Sequence, residues 1–258
     1  MARFKLTIEY EGTRYSGWQV QQNARTIMGE ILKASYDVFQ TNDIELYGAG
    51  RTDAGVHALG QVAHIDVQTT LAPHILTMKL NDKLPADISI ISAEKVPQSF
   101  HARHSAEFRS YTYLIAQRRS AFGKTITWWI KDRLHEKSIN DALQLMVGMH
   151  DFRSFTNDDP NEKSTKVLIE DIAVHREGDV IMIDIHGSHF LWNQVRRMIG
   201  VAVEVGRGTM PLSTVSSYLQ TYSNEPAQFT APPSGLYLAK IWYPGDTDTT
   251  LPRFLNLV

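Results

Sequence analysis

Along the first ten residues the apolar side chains fall at 4, 6, 8 and 10, the two-residue period of a strand with one buried face, and Glu11-Gly12-Thr13 closes it as a turn. Over residues 27–39 the period lengthens to that of a helix. Positions 28, 31, 32, 35, 38 and 39 form its stripe, with Ser35 tolerated on it, and Thr26 supplies a side-chain oxygen for the first turn. Short apolar runs at 62–65 and 88–91 predict further strands, separated by a helical segment around 74–80.

The second half repeats the mixture. Residues 109–116 alternate around Tyr111, Tyr113 and Ile115, while 138–149 read as a helix opening on a Ser-x-x-Asp capping pattern. Two strands, 168–174 and 180–186, hinge at Glu177-Gly178-Asp179 as a hairpin. Helices over 192–205 and 212–220 follow, then a closing strand over 236–243 stopped by Pro244-Gly245, and a tail expected to be a loop with a short terminal arm. Strands and helices interleave without the regular repeat of a doubly wound sheet. The pattern predicts an α+β protein of two similar halves, 1–105 and 106–258, sharing or abutting one mixed sheet.

Composition narrows the chemistry. The 258 residues are 43% apolar with a formal charge of −2, which excludes disorder and collagen-like repeats and allows a sizeable core. With no cysteine there is no disulfide framework, zinc knuckle or thiolate nucleophile, so the expected setting is a reducing, cytoplasmic one and catalysis must use oxygen or nitrogen groups. The N-terminal stretch has no uninterrupted apolar run, and neither a signal peptide nor a membrane anchor is expected there. Charge is balanced on both sides of Ser105, with 10 basic and 11 acidic residues before it and 16 and 17 from it onward. This argues against coating of nucleic acid, which needs many phosphates neutralised, and permits a local basic cleft for one shaped RNA.

The densest cluster is Gly48-Ala49-Gly50-Arg51-Thr52-Asp53-Ala54-Gly55-Val56-His57-Ala58-Leu59-Gly60-Gln61-Val62. Four glycines force a tightly turned backbone that can hold Asp53 where a ligand approaches closely; an Asp in such a turn can equally do no more than hydrogen-bond its own backbone. Arg51, two residues away, is the opposite charge that would keep Asp53 ionised. A second cation, Arg196, heads a helix stripe of Trp192, Val195, Ile199, Ala202 and Val203. It either needs an anionic partner or snorkels to solvent, and Arg197 is expected to face water or a phosphate. The histidine spacings (57 and 64, 101 and 104) are poor for a metal, and the glycine cluster lacks the Lys-Ser/Thr of a phosphate loop and enters a strand.

The Gly50–Val62 cluster is joined, in order, by Glu11-Gly12-Thr13-x-Tyr15-x-Gly17-Trp18-Gln19, Asn81-x-x-Leu84-Pro85-x-Asp87-Ile88, Phe100-His101-Ala102-Arg103, Arg109-Ser110-Tyr111-x-Tyr113, Asp151-Phe152-x-Ser154-Phe155, Phe190-Leu191-x-Asn193-x-Val195-Arg196 and Gly235-Leu236-Tyr237-Leu238. Nearly end to end, the chain resembles the TruA family of tRNA pseudouridine synthases. The resemblance implies two halves around a mixed, mainly antiparallel sheet with the active-site cleft between them. It also implies isomerisation of uridine in the anticodon stem-loop of tRNA, positions 38 to 40, by a cytoplasmic homodimer using no metal or organic cofactor.

By the same resemblance Asp53 is the catalytic carboxylate, trapping C1′ covalently or removing a ribose proton to give a glycal. Tyr111 stacks on the target uracil and assists proton removal at C5, Arg196 pairs with Asp53, and Leu236 packs against the base. Arg51 fills the space left by the extruded nucleotide, and His57 joins the substrate-binding set. Tyr111 and Leu236 read equally well as core residues from pattern alone. Ser164-Thr165-Lys166-Val167-Leu168 lacks the Arg that family members usually carry near Leu168, a difference bearing on RNA docking. Two other readings remain: a catalytically silent tRNA-binding or folding factor of the same fold, and a carboxylate glycosidase acting on small nucleosides, for which no second catalytic acid is evident.

Overall fold

The structure, a computed structural model, describes residues 1–247 and 250–252. It contains β1 (Ala2–Tyr10), α1 (Ile27–Phe39), β2 (Glu45–Gly48), β3 (His57–Val67), α2 (Pro73–Asn81) and β4 (Ile88–Val96). These are followed by β5 (Phe108–Ala116), β6 (Trp128–Trp129), α3 (Glu136–Gln144), β7 (Gly148–Asp151), β8 (Lys166–Glu177), β9 (Val180–Gly187), α4 (Gln194–Arg207), α5 (Leu212–Gln220) and β10 (Leu236–Trp242). The chain forms two compact units: residues up to Glu107 together with those from Tyr237 onward, and Phe108–Leu236.

In the first unit β1 lies between β4 and β3, antiparallel to both. On its other side β3 meets β2 antiparallel near its C-terminal end and β10 parallel at its start, Tyr237 against His57. Being enclosed on every side, β3 is buried at all its positions, so the alternation seen in β1 is lost there. Helix α1 starts where its cap predicts: the Thr26 side chain accepts from Gly29 N–H. Its buried face is Ile27, Ile31, Ala34 and Ser35, turned slightly from the expected stripe so that Met28 is only half-buried. Asn81 ends α2 by exchanging two hydrogen bonds with the Ile90 backbone of β4 at 2.9 and 2.8 Å.

The parallel pairing of β10 explains where the linear division at 105/106 departs from the fold. A parallel neighbour needs a long crossover, and here the whole second unit intervenes before the chain returns to β3. The strand expected to close the second half therefore completes the first. It ends at Trp242, with Gly245 at φ +90° in the turn beyond. The terminal arm expected at the very end falls at 253–258, outside the described residues.

In the second unit β5, β9, β8 and β7 form an antiparallel run, and β6 adds two residues parallel to β5. The β8–β9 hairpin turns at Gly178, whose φ of +57° suits glycine. The expected helix over 138–149 is shorter and earlier. It spans Glu136–Gln144, no side chain caps it, and Ser138 lies inside its first turn. Gly148, at φ +103°, then redirects the chain so that Met149 and His150 pair with Leu168 and Val167 in the β7–β8 ladder. Helix α4 is buried along nearly its whole length, and Gly200 is what lets it dock: a Cβ there would stand 1.5 Å from the carbonyl oxygen of Phe229. Together the units make an α+β protein whose strands pair mainly antiparallel.

Candidate active site

The turn that carries Asp53 is built by its neighbours before any ligand is considered. Ala49 N–H donates to Val62 O at 2.8 Å and the Gln61 side-chain amide to Gly50 O at 3.1 Å, which pin the segment's start to β3. Thr52 is buried, its hydroxyl 2.8 Å from the Tyr10 hydroxyl, and its carbonyl accepts from Trp18 N–H at 3.1 Å. Val56 N–H closes the turn onto Asp53 O at 3.2 Å, with Gly55 at φ +77°. Asp53 itself is half-buried.

Two glycines let the stretch after β1 approach this turn. A Cβ on Gly12 would lie 2.0 Å from Val56 O, and one on Gly17, already at φ +87°, 2.6 Å from Thr52 O. The Glu11 to Trp18 block thus acts as a clamp on the Asp53 turn, which gives that block a physical reason that its residue types alone do not reveal.

Arg51, beside the turn, is exposed. His57, expected among the residues touching substrate, is 1% exposed. Its Nδ1 accepts from Gly12 N–H at 3.0 Å and its ring stacks on Tyr237 with centroids 4.7 Å apart. An imidazole so enclosed supports the clamp and leaves no surface for a ligand. Burial pushes the Tyr237 hydroxyl pKa far up, with the negative charge of Glu11 adding to it, so the ring stays neutral.

The remaining residues stand in the second unit. Tyr111 is half-buried on β5 opposite Ile185 of β9, its ring edge-on to Phe190 at 5.0 Å and 82°. Two residues along, on the same face, Tyr113 is fully enclosed and donates from its hydroxyl to Pro232 O at 2.8 Å. Burial raises the Tyr113 pKa well above its ordinary value, and the charge of Arg196 nearby acts in the opposite direction. Arg196 Nε donates to Ala231 O at 2.7 Å and Nη1 to the Asn193 side chain at 2.9 Å, Asn193 holding a left-handed conformation at φ +62° before α4. Leu236 is 5% exposed and follows Gly235, where an added Cβ would stand 2.7 Å from the Tyr113 ring. The 231–236 segment thus holds Arg196 through Ala231 and lies against Tyr113, two residues from Tyr111 on β5.

Arg197, not Arg196, is the buried arginine, which reverses the expectation that it faces water or a phosphate. At 4% exposure it donates to Thr156 O at 2.7 Å, to Ser154 O at 3.4 Å and to the Asn157 side chain. Burial lowers its pKa. The acceptors lie about 40 residues upstream, at the end of the Asp151-Phe152-x-Ser154-Phe155 block and in the two residues after it. They are mostly backbone carbonyls, which leave no trace in residue type.

Comparison with other proteins identifies the family. The family model described as tRNA pseudouridine synthase matches residues 6–105 and 142–244. The tRNA pseudouridine synthase A of Rhodopseudomonas palustris (strain BisA53) is 42% identical over 246 residues, 94% of this chain and 100% of that protein. That of Parvibaculum lavamentivorans is 39% identical over 246 residues, again 94% and 100%, and that of Brachyspira hyodysenteriae 39% over 247, covering 94% and 99%. Because the family model and these relatives match across both units, the chain belongs to the tRNA pseudouridine synthase family.

Proposed function

We propose that this protein isomerises uridine to pseudouridine in the anticodon stem-loop of tRNA, at positions 38 to 40, with Asp53 as the catalytic carboxylate. The observation that carries the reading is the family's glycine-rich signature folding into a turn that five neighbouring groups hold rigid around Asp53.

Catalysis requires the C1′–N1 bond to break with its electron pair leaving on uracil N1. The Asp53 carboxylate then either bonds to C1′ or removes a ribose proton, and both routes need it ionised and held at close range. The base turns, and C5 bonds to C1′ as the Asp53–C1′ bond breaks or, on the glycal route, as the ribose proton returns; the C5 proton leaves and N1 takes up a proton. Tyr111 is the group assigned to stack on the ring and assist that proton's departure. Arg196, whose Nε and one Nη are already fixed by Ala231 and Asn193, is assigned to the carboxylate, and Leu236 to the edge of the base. A guanidinium preorganised by two hydrogen bonds loses little freedom when it engages an anion. Because a paired uridine is stacked, extrusion costs on the order of a few kcal/mol, offset by phosphate contacts and stacking. Arg51, exposed beside the turn, is the side chain assigned to the vacated space.

The reading includes action in the cytoplasm and as a homodimer. Its test is the release of tritium from tRNA labelled at uracil C5, followed by mapping of pseudouridine in tRNA from cells lacking the protein. Loss of pseudouridine at 38 to 40 supports the reading, and an unchanged pattern overturns it.

A further inference from the structure

Between β5 and α3, residues 117–133 carry five cations (Arg118, Arg119, Lys124, Lys131 and Arg133) against one acid, Asp132, in a chain whose overall charge is −2. The acid is taken up by Arg207 at 3.1 Å, and of the cations Arg118 is tied to Asp179 at 2.8 Å. Arg119, Lys124, Lys131 and Arg133 are exposed.

Aromatic rings stand among these charges. Phe122 is 94% exposed, and Trp129 is 42% exposed with the Arg119 guanidinium 5.8 Å from its ring centroid. A phenylalanine exposed to this degree keeps both faces of its ring open for stacking. The segment is nonetheless ordered by its own bonds. Gln117 closes its base with hydrogen bonds to Ile130 O, Asp132 O and Leu134 N–H, β6 pairs with β5, and Thr127 Oγ1 bonds to Gly123 O at 2.7 Å. Phe122 N–H is held by the Ser120 hydroxyl at 3.2 Å. A rigid loop displaying an aromatic face among cations suits an unstacked base flanked by phosphates. A second copy of the chain would bring the same positive charge to this surface, which disfavours self-association through it.

We propose that the 117–133 loop is a second RNA-binding platform in which Phe122 stacks on an unpaired base of the substrate RNA and Arg119 and Lys124 engage adjacent phosphates. It rests on the tRNA reading above. Gln117, the loop's first residue, stands six residue steps of β5 beyond Tyr111, roughly 20 Å of strand, and the loop's other end returns to that strand, the Trp128 ring 6.2 Å from the ring of Tyr113; Phe122 and Lys124, between these two ends, are assigned to affinity and not to the chemical step.

The test measures tRNA binding by the full-length protein as a function of salt, alongside single-turnover pseudouridine formation at saturating tRNA. For Phe122→Ala the dissociation constant rises at least fivefold, and for Phe122→Trp it stays within twofold of wild type. For Arg119→Ala with Lys124→Ala, binding weakens and the slope of log K against log salt falls by about 0.7 to 0.9 for each phosphate that is no longer neutralised. The saturated rate is unchanged within twofold in all variants. Wild-type affinity and salt slope in both the Phe122→Ala and the double variant overturn the proposal, as does a change in sedimentation of Phe122→Ala with RNA binding intact, which would assign the surface to a second copy. Absence of product from the wild type would instead overturn the tRNA reading, and the binding comparison separates the two failures.

Discussion

The imidazole of His57 accepts a hydrogen bond from Gly12 N–H at 3.0 Å, and a methyl group on that same Gly12 would stand 2.0 Å from the carbonyl oxygen of Val56. One residue thus meets the Asp53 turn from both sides of β3's entry. Gly12→Ala forces that turn to move and is expected to cost about 1 to 3 kcal/mol of stability, measured by urea denaturation, together with a fall in kcat. A variant with wild-type stability and turnover would show that the close approach does not position Asp53.

The hydroxyl pair between Tyr10 and Thr52 is a milder support for the same turn. Tyr10→Phe leaves the buried ring in place and removes one hydrogen bond, with an expected loss of about 0.5 to 1.5 kcal/mol and a smaller kinetic effect than Gly12→Ala.

The adjacent arginines of α4 separate stability from chemistry. Arg197→Met strips a buried guanidinium from the carbonyls of Ser154 and Thr156 and is expected to cost about 1 to 3 kcal/mol. Arg196→Lys cannot reproduce the paired geometry to Ala231 and Asn193, and removes most turnover at a smaller cost in stability. Denaturation and single-turnover rates on both variants check the contrast, which fails if the two behave alike.

Much of this framework is legible in the residue pattern because local physics decides it. Thr26 caps α1, Leu212–Gln220 forms α5 over the expected span, and the Gly178 turn makes the hairpin. What pattern hides is set by partners far along the chain. The β2, β6 and β7 strands are four residues or fewer, too short for periodicity to register, and exist because β3, β5 and β8 offer them an edge. Ser138 resembles a cap only until Gly148 and the β7–β8 ladder are known. The site divides in the same way. Asp53, Tyr111 and Arg196 stand out by motif, whereas the enclosure of His57 and Arg197 depends on Gly12, Tyr237 and the 154–157 carbonyls.

His64 yields a pH prediction. Burial, assisted by the positive charges of Arg3 and His101, pushes its pKa down to about 4. In the unfolded chain it returns to about 6.5. Above pH 6.5 both states are neutral and the contribution to stability is complete. As pH falls from 6.5 toward 4 the unfolded chain binds a proton that the folded one refuses, and stability drops. The Arg3–Asp66 pair acts in a lower window, since Arg3 holds the Asp66 carboxyl below its ordinary value of 3.8. His64→Asn keeps an acceptor for Ala102 N–H and should lose less stability than wild type between pH 7 and 5, measured by urea denaturation. Equal losses would exclude His64 as the source.

The most direct test of the catalytic assignment is tritium release from C5-labelled tRNA by Asp53→Asn, with tRNA affinity measured on the same preparation. Asn preserves the side chain's size and removes its charge. The account predicts no detectable release with a dissociation constant within about threefold of wild type, a span of roughly 0.7 kcal/mol. Continued release by the variant would contradict it.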